Sequence, residues 1–376
     1  MCYFAGALRG LGALGAPWAL FCLSPVVAGA QQKGSTIEVV GPECADCEIV
    51  AVPLVSLGDA EGPGMLESDY NIVRVDRRGR YFVSGGLRPY FWVFDSSGKV
   101  THRIGRHGEG PGEFSRIMNL AIDDADSVFV FDHSLHRVTV YTPDLEVART
   151  FPLRLRLDGS ALFVGTSLLV NTGIHTEDRV GLPFHLLARD GRIERSFGSA
   201  TGGVYRVDRQ DAMDRRQLTP STEAAFWAAR INQLLFERWS TDGRLLETLR
   251  WEPTWFRVWW QPQADAETPP VTSVIALEQV ADTLWVLVAV PGERWRTAIE
   301  PDGRLYRVTD PGEYQNAMLA AIDVRRGIAI ASRRMPQLLQ GLAEGGLAFH
   351  TEADVFGNPI VRVYRLEIRS PSAQGG

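Results

Sequence analysis

From residue 34 onward, short runs of apolar or alternating residues are separated by Gly, Pro, Asp and Asn. This is the punctuation of β-strands and turns, and no segment has convincing amphipathic helical spacing. Ile72–Asp76, Tyr81–Ser84, Tyr90–Asp95 and Lys99–Ile104 form a first group of four predicted strands. The group repeats as Ile117–Ile122, Ser127–Phe131, Arg137–Tyr141 and Leu145–Arg149. A third copy runs from Leu155 to Phe197. A weaker fourth uses Ala225–Ala228, Leu234–Trp239 and Leu245–Trp251. A fifth uses Val274–Val280, Thr283–Val288, Met318–Ile322 and Ile328–Ala331.

The turns between third and fourth strands fall at Gly98, Leu145, Gly191, Gly243 and Gly327, at spacings of 47, 46, 52 and 84 residues. The first three spacings match one four-stranded propeller blade per repeat, and the last contains an insertion. The end of the chain supplies three strands, Leu338–Leu342, Leu347–His350 and Val361–Ile368. The alternating segment Thr36–Val40 is expected to complete them, because a blade built from both termini closes the ring and hides two edges. The expected fold is all-β: a six-bladed propeller of four-stranded blades over residues 31–370, followed by a disordered tail at 371–376.

Gly105-Arg-His-Gly-Glu-Gly-Pro-Gly-Glu-Phe114 joins the first copy to the second. Followed by Leu120–Asp123, Val128–Asp132 and Arg137–Tyr141, it resembles an NHL repeat: G-x-x-G-x-x-x-G-x-F, a strand, V-x-D, then R-x-x-V-[FY]. The detailed match covers about forty residues, with a partial echo at Leu57–Gly64. The resemblance implies an exported bacterial six-bladed propeller of NHL or TolB-like type. It implies a fold more than an activity, since such propellers bind RNA, bind proteins or act as enzymes.

Residues 1–30 read as a secretory signal peptide: Arg9, an apolar run from Leu11 to Leu23, and a small-x-small site at Ala28-Gly29-Ala30. The run is short of the about 20 apolar residues that span a bilayer, and Phe21 spoils a lipobox at Cys22. The expectation is a soluble periplasmic or extracellular monomer. Cleavage removes Arg9 and moves the net charge of -6 to -7, an acidity that argues against nucleic acid. Cys44 and Cys47 then remain, spaced C-x-x-C. Position 48 is Glu, which excludes haem attachment, and the β pattern of Glu48–Val52 disfavours a thioredoxin-like site. A small structural disulfide is the favoured reading.

The long connections are Gly105–Ser115, Thr172–Pro183, Gly198–Leu218, Trp251–Pro270 and Pro291–Gln315. All are blade-to-blade links or second-to-third-strand loops, so they gather on one face, the expected binding face. Candidate ligand-binding residues there are Arg106, His107, Glu109, His133, His136, Arg137, His175 and Trp255. A sharper reading makes the histidines metal ligands with Asp132 or Glu109; the blander one leaves them solvated, with Asp132 accepting hydrogen bonds from its own turn. Trp251, Trp255, Phe256, Trp259 and Trp260 either form a partner surface or bury their rings between the fourth and fifth blades. Gly198–Leu218 is read as a charged, solvated flap. No G-x-S-x-G, phosphate-loop or H-E-x-x-H motif occurs. The main expectation is therefore a non-catalytic binding or scaffold propeller, without cofactor, for a protein, peptide or glycan. The alternative is a lactonase- or lyase-like enzyme with a divalent ion in the central channel.

Overall fold

The middle strands of each blade must bury two faces, because each blade is sandwiched between two others, whereas outer strands such as Val100–Ile104 are largely exposed. The second strand of the first blade, Tyr81–Gly85, is buried throughout. Tyr81 and Val83 point to one neighbouring blade and Phe82 to the other. Strict alternation of direction along a strand thus produces a run that is apolar at nearly every position.

The computed structural model describes residues 34–44, 46–155, 160–172, 182–198, 215–260, 267–302, 305–335 and 338–370. Two strands come first, β1 (Ser35–Glu38) and β2 (Glu48–Leu57). Blade 1 is β3 (Asn71–Val75), β4 (Tyr81–Gly85), β5 (Phe91–Phe94) and β6 (Val100–Ile104). Blade 2 is β7 (Ile117–Ile122), β8 (Val128–Asp132), β9 (Arg137–Tyr141) and β10 (Val147–Pro152). Blade 3 is β11 (Ala161–Val164), β12 (Ser167–Asn171), β13 (Phe184–Leu187) and β14 (Ile193–Phe197). Blade 4 is β15 (Arg216–Thr222), β16 (Ala225–Arg230), β17 (Leu235–Ser240) and β18 (Leu245–Arg250). Blade 5 begins with β19 (Ser273–Val280) and β20 (Thr283–Pro291). A hairpin, β21 (Ile299–Asp302) and β22 (Leu305–Val308), then precedes a one-turn helix at Pro311–Tyr314. β23 (Gln315–Asp323) and β24 (Ile328–Met335) complete the blade. Blade 6 contributes β25 (Gly341–Ala343), β26 (Leu347–Ala353) and β27 (Pro359–Arg369). The chain is thus a six-bladed all-β propeller, and no helix of the described residues is long and apolar enough to cross a membrane.

Six hydrophobic clusters fill the six seams, one between each pair of neighbouring blades. Trp92 and Phe94 of β5 face blade 6, whereas Phe91 and Val93 face blade 2. Phe226 packs edge-on against Phe184 across the seam of blades 3 and 4, with centroids 5.2 Å apart. All five third-to-fourth turns named from the sequence have positive φ: Gly98 (85°), Leu145 (69°), Gly191 (84°), Gly243 (89°) and Gly327 (64°). Glycine takes this conformation freely; Leu145 takes it at a cost.

Two expectations need correction. Thr36–Val40 does not close the ring. Ser35–Glu38 instead runs parallel to β18 as a fifth strand on blade 4, and Val40 bridges Ile328 on blade 5. The closing strand is β2, antiparallel to β27 from Glu48↔Arg369 to Leu57↔Val361. The N-terminal segment therefore laces the outer edges of blades 4, 5 and 6 in succession. The Cys44–Cys47 disulfide lies where it passes from blade 5, through Cys44 N–H to the Ile330 carbonyl at 3.4 Å, to the start of β2. Second, Gly198–Leu218 is not wholly a flap. Arg216–Thr222 is the innermost strand of blade 4, while residues 199–214 lie outside the described residues. The signal-peptide and tail assignments also lie outside them.

The two N-terminal strands should differ in weight. Ile49→Asp in β2, at a position with no exposure, should cost about 4 kcal/mol or more, as expected for an unpaired charge in a core. Removal of Ser35–Glu38 should leave one cooperative transition with a smaller loss. Denaturant titration of both variants checks this, and equal losses would show that β1 is as necessary as β2.

Candidate functional site

The glycine-rich link between blades 1 and 2 folds as a self-bonded loop. Phe114 N–H donates to the Arg106 carbonyl at 2.8 Å and Gly108 N–H to the Phe114 carbonyl at 3.1 Å. The Glu113 carboxylate accepts from Gly110 N–H and Arg106 Nε, both at 2.8 Å. These bonds, the Gly110 amide first, hold its carboxyl below the ordinary carboxylate range. Gly105 has φ 96°, and a Cβ there would come 2.7 Å from the Pro89 carbonyl oxygen.

Arg137 reaches up from β9 and donates to three carbonyls of this loop: Glu109 at 2.6 Å, Gly110 at 3.0 Å and Glu113 at 2.6 Å. Asp132 is buried and accepts from the amides of Ser115, Ser134 and Leu135 at 2.6, 3.0 and 3.0 Å. Asp132 thus accepts from its own turn, as expected, and from the incoming link as well. Arg106, Glu109 and Arg137 are brought together, but as internal bonds of one loop. His107 bridges Phe114 through its backbone. His133 and His136 lie in the adjoining turn with rings 6.2 Å apart, and His136 has φ 48°. His175 lies outside the described residues. No cluster of three or more His, Cys, Asp or Glu side chains with metal-binding geometry occurs among the described residues.

Trp255 sits across the ring, in the link from blade 4 to blade 5. It packs edge-on against the buried Trp251 with centroids 5.4 Å apart and joins the cluster between those blades. Trp259 Nε1 donates to the Thr272 carbonyl at 2.5 Å. Most of this link therefore buries its rings, and Trp260 is the exception at 59% exposed.

The six innermost strands surround a channel of about 730 Å³. Its end beside the first-to-second-strand turns carries a polar group that the sequence does not reveal. Arg74 of β3 donates from Nε to the Leu120 carbonyl at 3.0 Å and from Nη2 to Asn119 Oδ1 at 3.3 Å, tying blade 1 to blade 2. Glu344 of blade 6 accepts from Val75 N–H at 2.9 Å and lies 3.9 Å from Arg74. Glu278 of β19 accepts from Gly345 N–H at 3.2 Å and from the Thr219 hydroxyl at 3.4 Å, so it touches blades 4 and 6 at once. Burial, then the charge of Glu344, pushes the Glu278 carboxyl up to about 8. Nothing local in the sequence marks these residues, because each acts on a neighbouring blade.

A family model described as a 6-bladed beta-propeller matches residues 66–155. No functionally curated protein matches the chain. Among solved structures, the chain is similar to a Bacteroides fragilis protein whose name marks it as exported (TM-score 0.58, 12% identity, covering 90% of this chain and 100% of that one). It is similar also to a DUF4221 family member from Bacteroides vulgatus (TM-score 0.60, 10% identity, 86% and 99% covered). Virginiamycin B lyase from Staphylococcus aureus superposes more loosely (TM-score 0.45, 11% identity, 85% and 99% covered), too loosely to bear on chemistry. The family model and the strand order together establish the six-bladed propeller.

Glu278 makes stability depend on pH. Its folded value of about 8 lies above the ordinary 4.5, so between those values the folded chain holds a proton that the unfolded chain has lost. The stabilisation is fully present below about pH 4.5 and falls as pH rises through the window to about 8. The loss should be on the order of 2 kcal/mol after allowance for screening by channel water. Glu278→Gln should remove this component. Thermal unfolding from pH 5 to 9 checks it, and parallel curves for the two proteins would show that Glu278 does not titrate there.

Proposed function

We propose that the chain is an exported, non-catalytic binding propeller that takes a protein, peptide or glycan partner on its long-loop face. The distribution of exposed apolar side chains carries this reading. Eleven large apolar residues are exposed among those described, and seven of them lie on links or second-to-third-strand loops: Met65, Tyr70, Leu87, Val258, Trp260, Val355 and Phe356. Val280 alone lies at a first-to-second-strand turn, and Val40, Leu54 and Val147 lie on the strap or outer strands. Ion pairs occur on both faces, as in Arg77 with Asp124 at 2.6 Å on the short-turn face and Arg106 with Glu113 at 2.7 Å on the long-loop face, so exposed apolar side chains rather than charge distinguish the two. Grouped exposed apolar side chains on a rigid scaffold are characteristic of interaction surfaces. The leader-like residues 1–30, the disulfide and the likeness to a protein named as exported support export.

Photo-crosslinking separates the two faces. With p-benzoylphenylalanine in place of Tyr70 or Trp260, exported protein should give discrete adducts in the envelope. The same residue in place of Asp124 or Arg244, on the short-turn face, should give none. Adducts from both faces alike, or from neither, would refute the assignment.

A further inference from the structure

Among the described residues, the two most exposed large apolar side chains are consecutive: Val355, 92% exposed, and Phe356, 77% exposed. They form the tip of the loop between β26 and β27 in blade 6, on the long-loop face. This loop is held rigidly. Asp354 Oδ1 accepts from Phe356 N–H and Asn358 N–H, both at 2.8 Å. Asp354 N–H donates to the Asn358 carbonyl at 2.8 Å, and Gly357 N–H to the Asp354 carbonyl at 3.0 Å. Gly357 takes φ 86°, which lets the chain reverse without strain. Asn358 Nδ2 then reaches the Ala60 carbonyl at 2.9 Å, pinning the tip to the link from β2 to β3. The backbone is already ordered, so a partner that receives the tip does not have to order it.

The surroundings of the tip are acidic. Asp354 lies at its base, and Asp59 and Glu61 lie on the link that Asn358 grips. The neighbouring Arg362 is held by Glu352 at 2.7 Å, so it does not offset them. Resting on the binding reading above, we infer that Val355 and Phe356 form a preformed finger that inserts into an apolar pocket rimmed by lysine or arginine on another protein. Apolar anchors in a pocket supply most of an interface's affinity, and complementary charge at the rim sets orientation and association rate. The same acidic fringe repels an anionic lipid surface.

The test places p-benzoylphenylalanine at position 356 of the exported protein, alone and combined with Val355→Asp or Glu61→Arg. Both second sites are exposed to solvent, and thermal unfolding unchanged within about 1 °C confirms that each variant folds. The expected result is an adduct with a protein other than this chain, reduced about tenfold by Val355→Asp. Glu61→Arg, or salt raised to about 0.5 M, should reduce it about threefold. An adduct indifferent to both substitutions overturns the proposal. So does an adduct only with a second copy of this chain, or Phe356-dependent sedimentation with phosphatidylethanolamine–phosphatidylglycerol vesicles. Loss of adducts at position 356 with adducts retained at positions 70 and 260 refutes the finger and leaves the binding face standing; loss at all three refutes both.

Discussion

The structure depends on one constraint: no blade can be stable with a bare face. Each of the six seams is a hydrophobic cluster shared by two blades, so opening the ring at one point would expose both sides of a seam. The pairing of β2 with β27 supplies the outer strand of blade 6. Leu57 of β2 contributes to the seam with blade 1, and Ile49 to the seam with blade 5. One strand from the N-terminal region thereby completes two seams and keeps strands far apart in sequence in register. The strap before it has a different task. It covers the outer edge of blade 4 through β1 and part of blade 5 through the Val40 bridge to Ile328, edges that would otherwise invite pairing with another chain.

A second constraint lies at the axis. The innermost strand of each blade presents one unpaired edge to the channel, and buried amides without partners are costly. Side chains from neighbouring blades serve amides at this end of the channel: Glu344 for Val75 N–H of β3, Glu278 for Gly345 N–H in the first-to-second-strand turn of blade 6, and the Thr219 hydroxyl for Gln279 N–H of β19 at 3.2 Å. Arg74 serves the Leu120 carbonyl in the same way. The charged group at this end of the channel is therefore part of the ring's construction. The high Glu278 value follows from it, because a carboxyl held between the Thr219 hydroxyl and the turn of blade 6 is poorly solvated and lies close to the Glu344 carboxylate.

What the sequence revealed follows the range of the interactions involved. The third-to-fourth turns were legible because a positive φ is a local demand, and four of the five positions are glycine. Leu145 was found by spacing alone, since leucine gives no such signal. The paired strands of blades 1, 2 and 5 were legible because both faces are apolar. The role of Thr36–Val40 was not. Alternation identifies a strand but not its partner, and the partner lies more than two hundred residues away at Glu247–Arg250. β15 was obscured because its start, up to Leu218, reads as part of a charged flap, and it also carries Pro220. As an innermost strand it has one free edge, where a residue lacking an amide hydrogen is tolerated. Arg137 reads as a ligand contact and Asp132 as a metal ligand or a turn acceptor; in the structure Arg137 bonds the glycine-rich loop, and Asp132 accepts from its own turn and the incoming link. The Val355–Phe356 tip had a local signal, an apolar pair inside an Asp-x-x-Gly-Asn turn, which blade counting passed over.

The two faces of the ring follow from the same geometry. First-to-second and third-to-fourth turns are tight, so their side chains lie close to those of the next blade and pair with them, as Arg77 does with Asp124. Links between blades must instead travel from an outermost strand to the next innermost one, which takes more residues and brings more side chains to the surface. The link from blade 4 to blade 5 buries Trp251 and leaves Trp260 outside; the link from blade 6 to blade 1 buries Leu66 and leaves Tyr70 outside. Each such link must contain apolar residues to seal the seam beneath it, and a few of them face outward on a backbone that the seam holds still. A propeller that seals its seams with long apolar links therefore acquires a rigid, partly apolar face, and recognition can develop there without altering the blades.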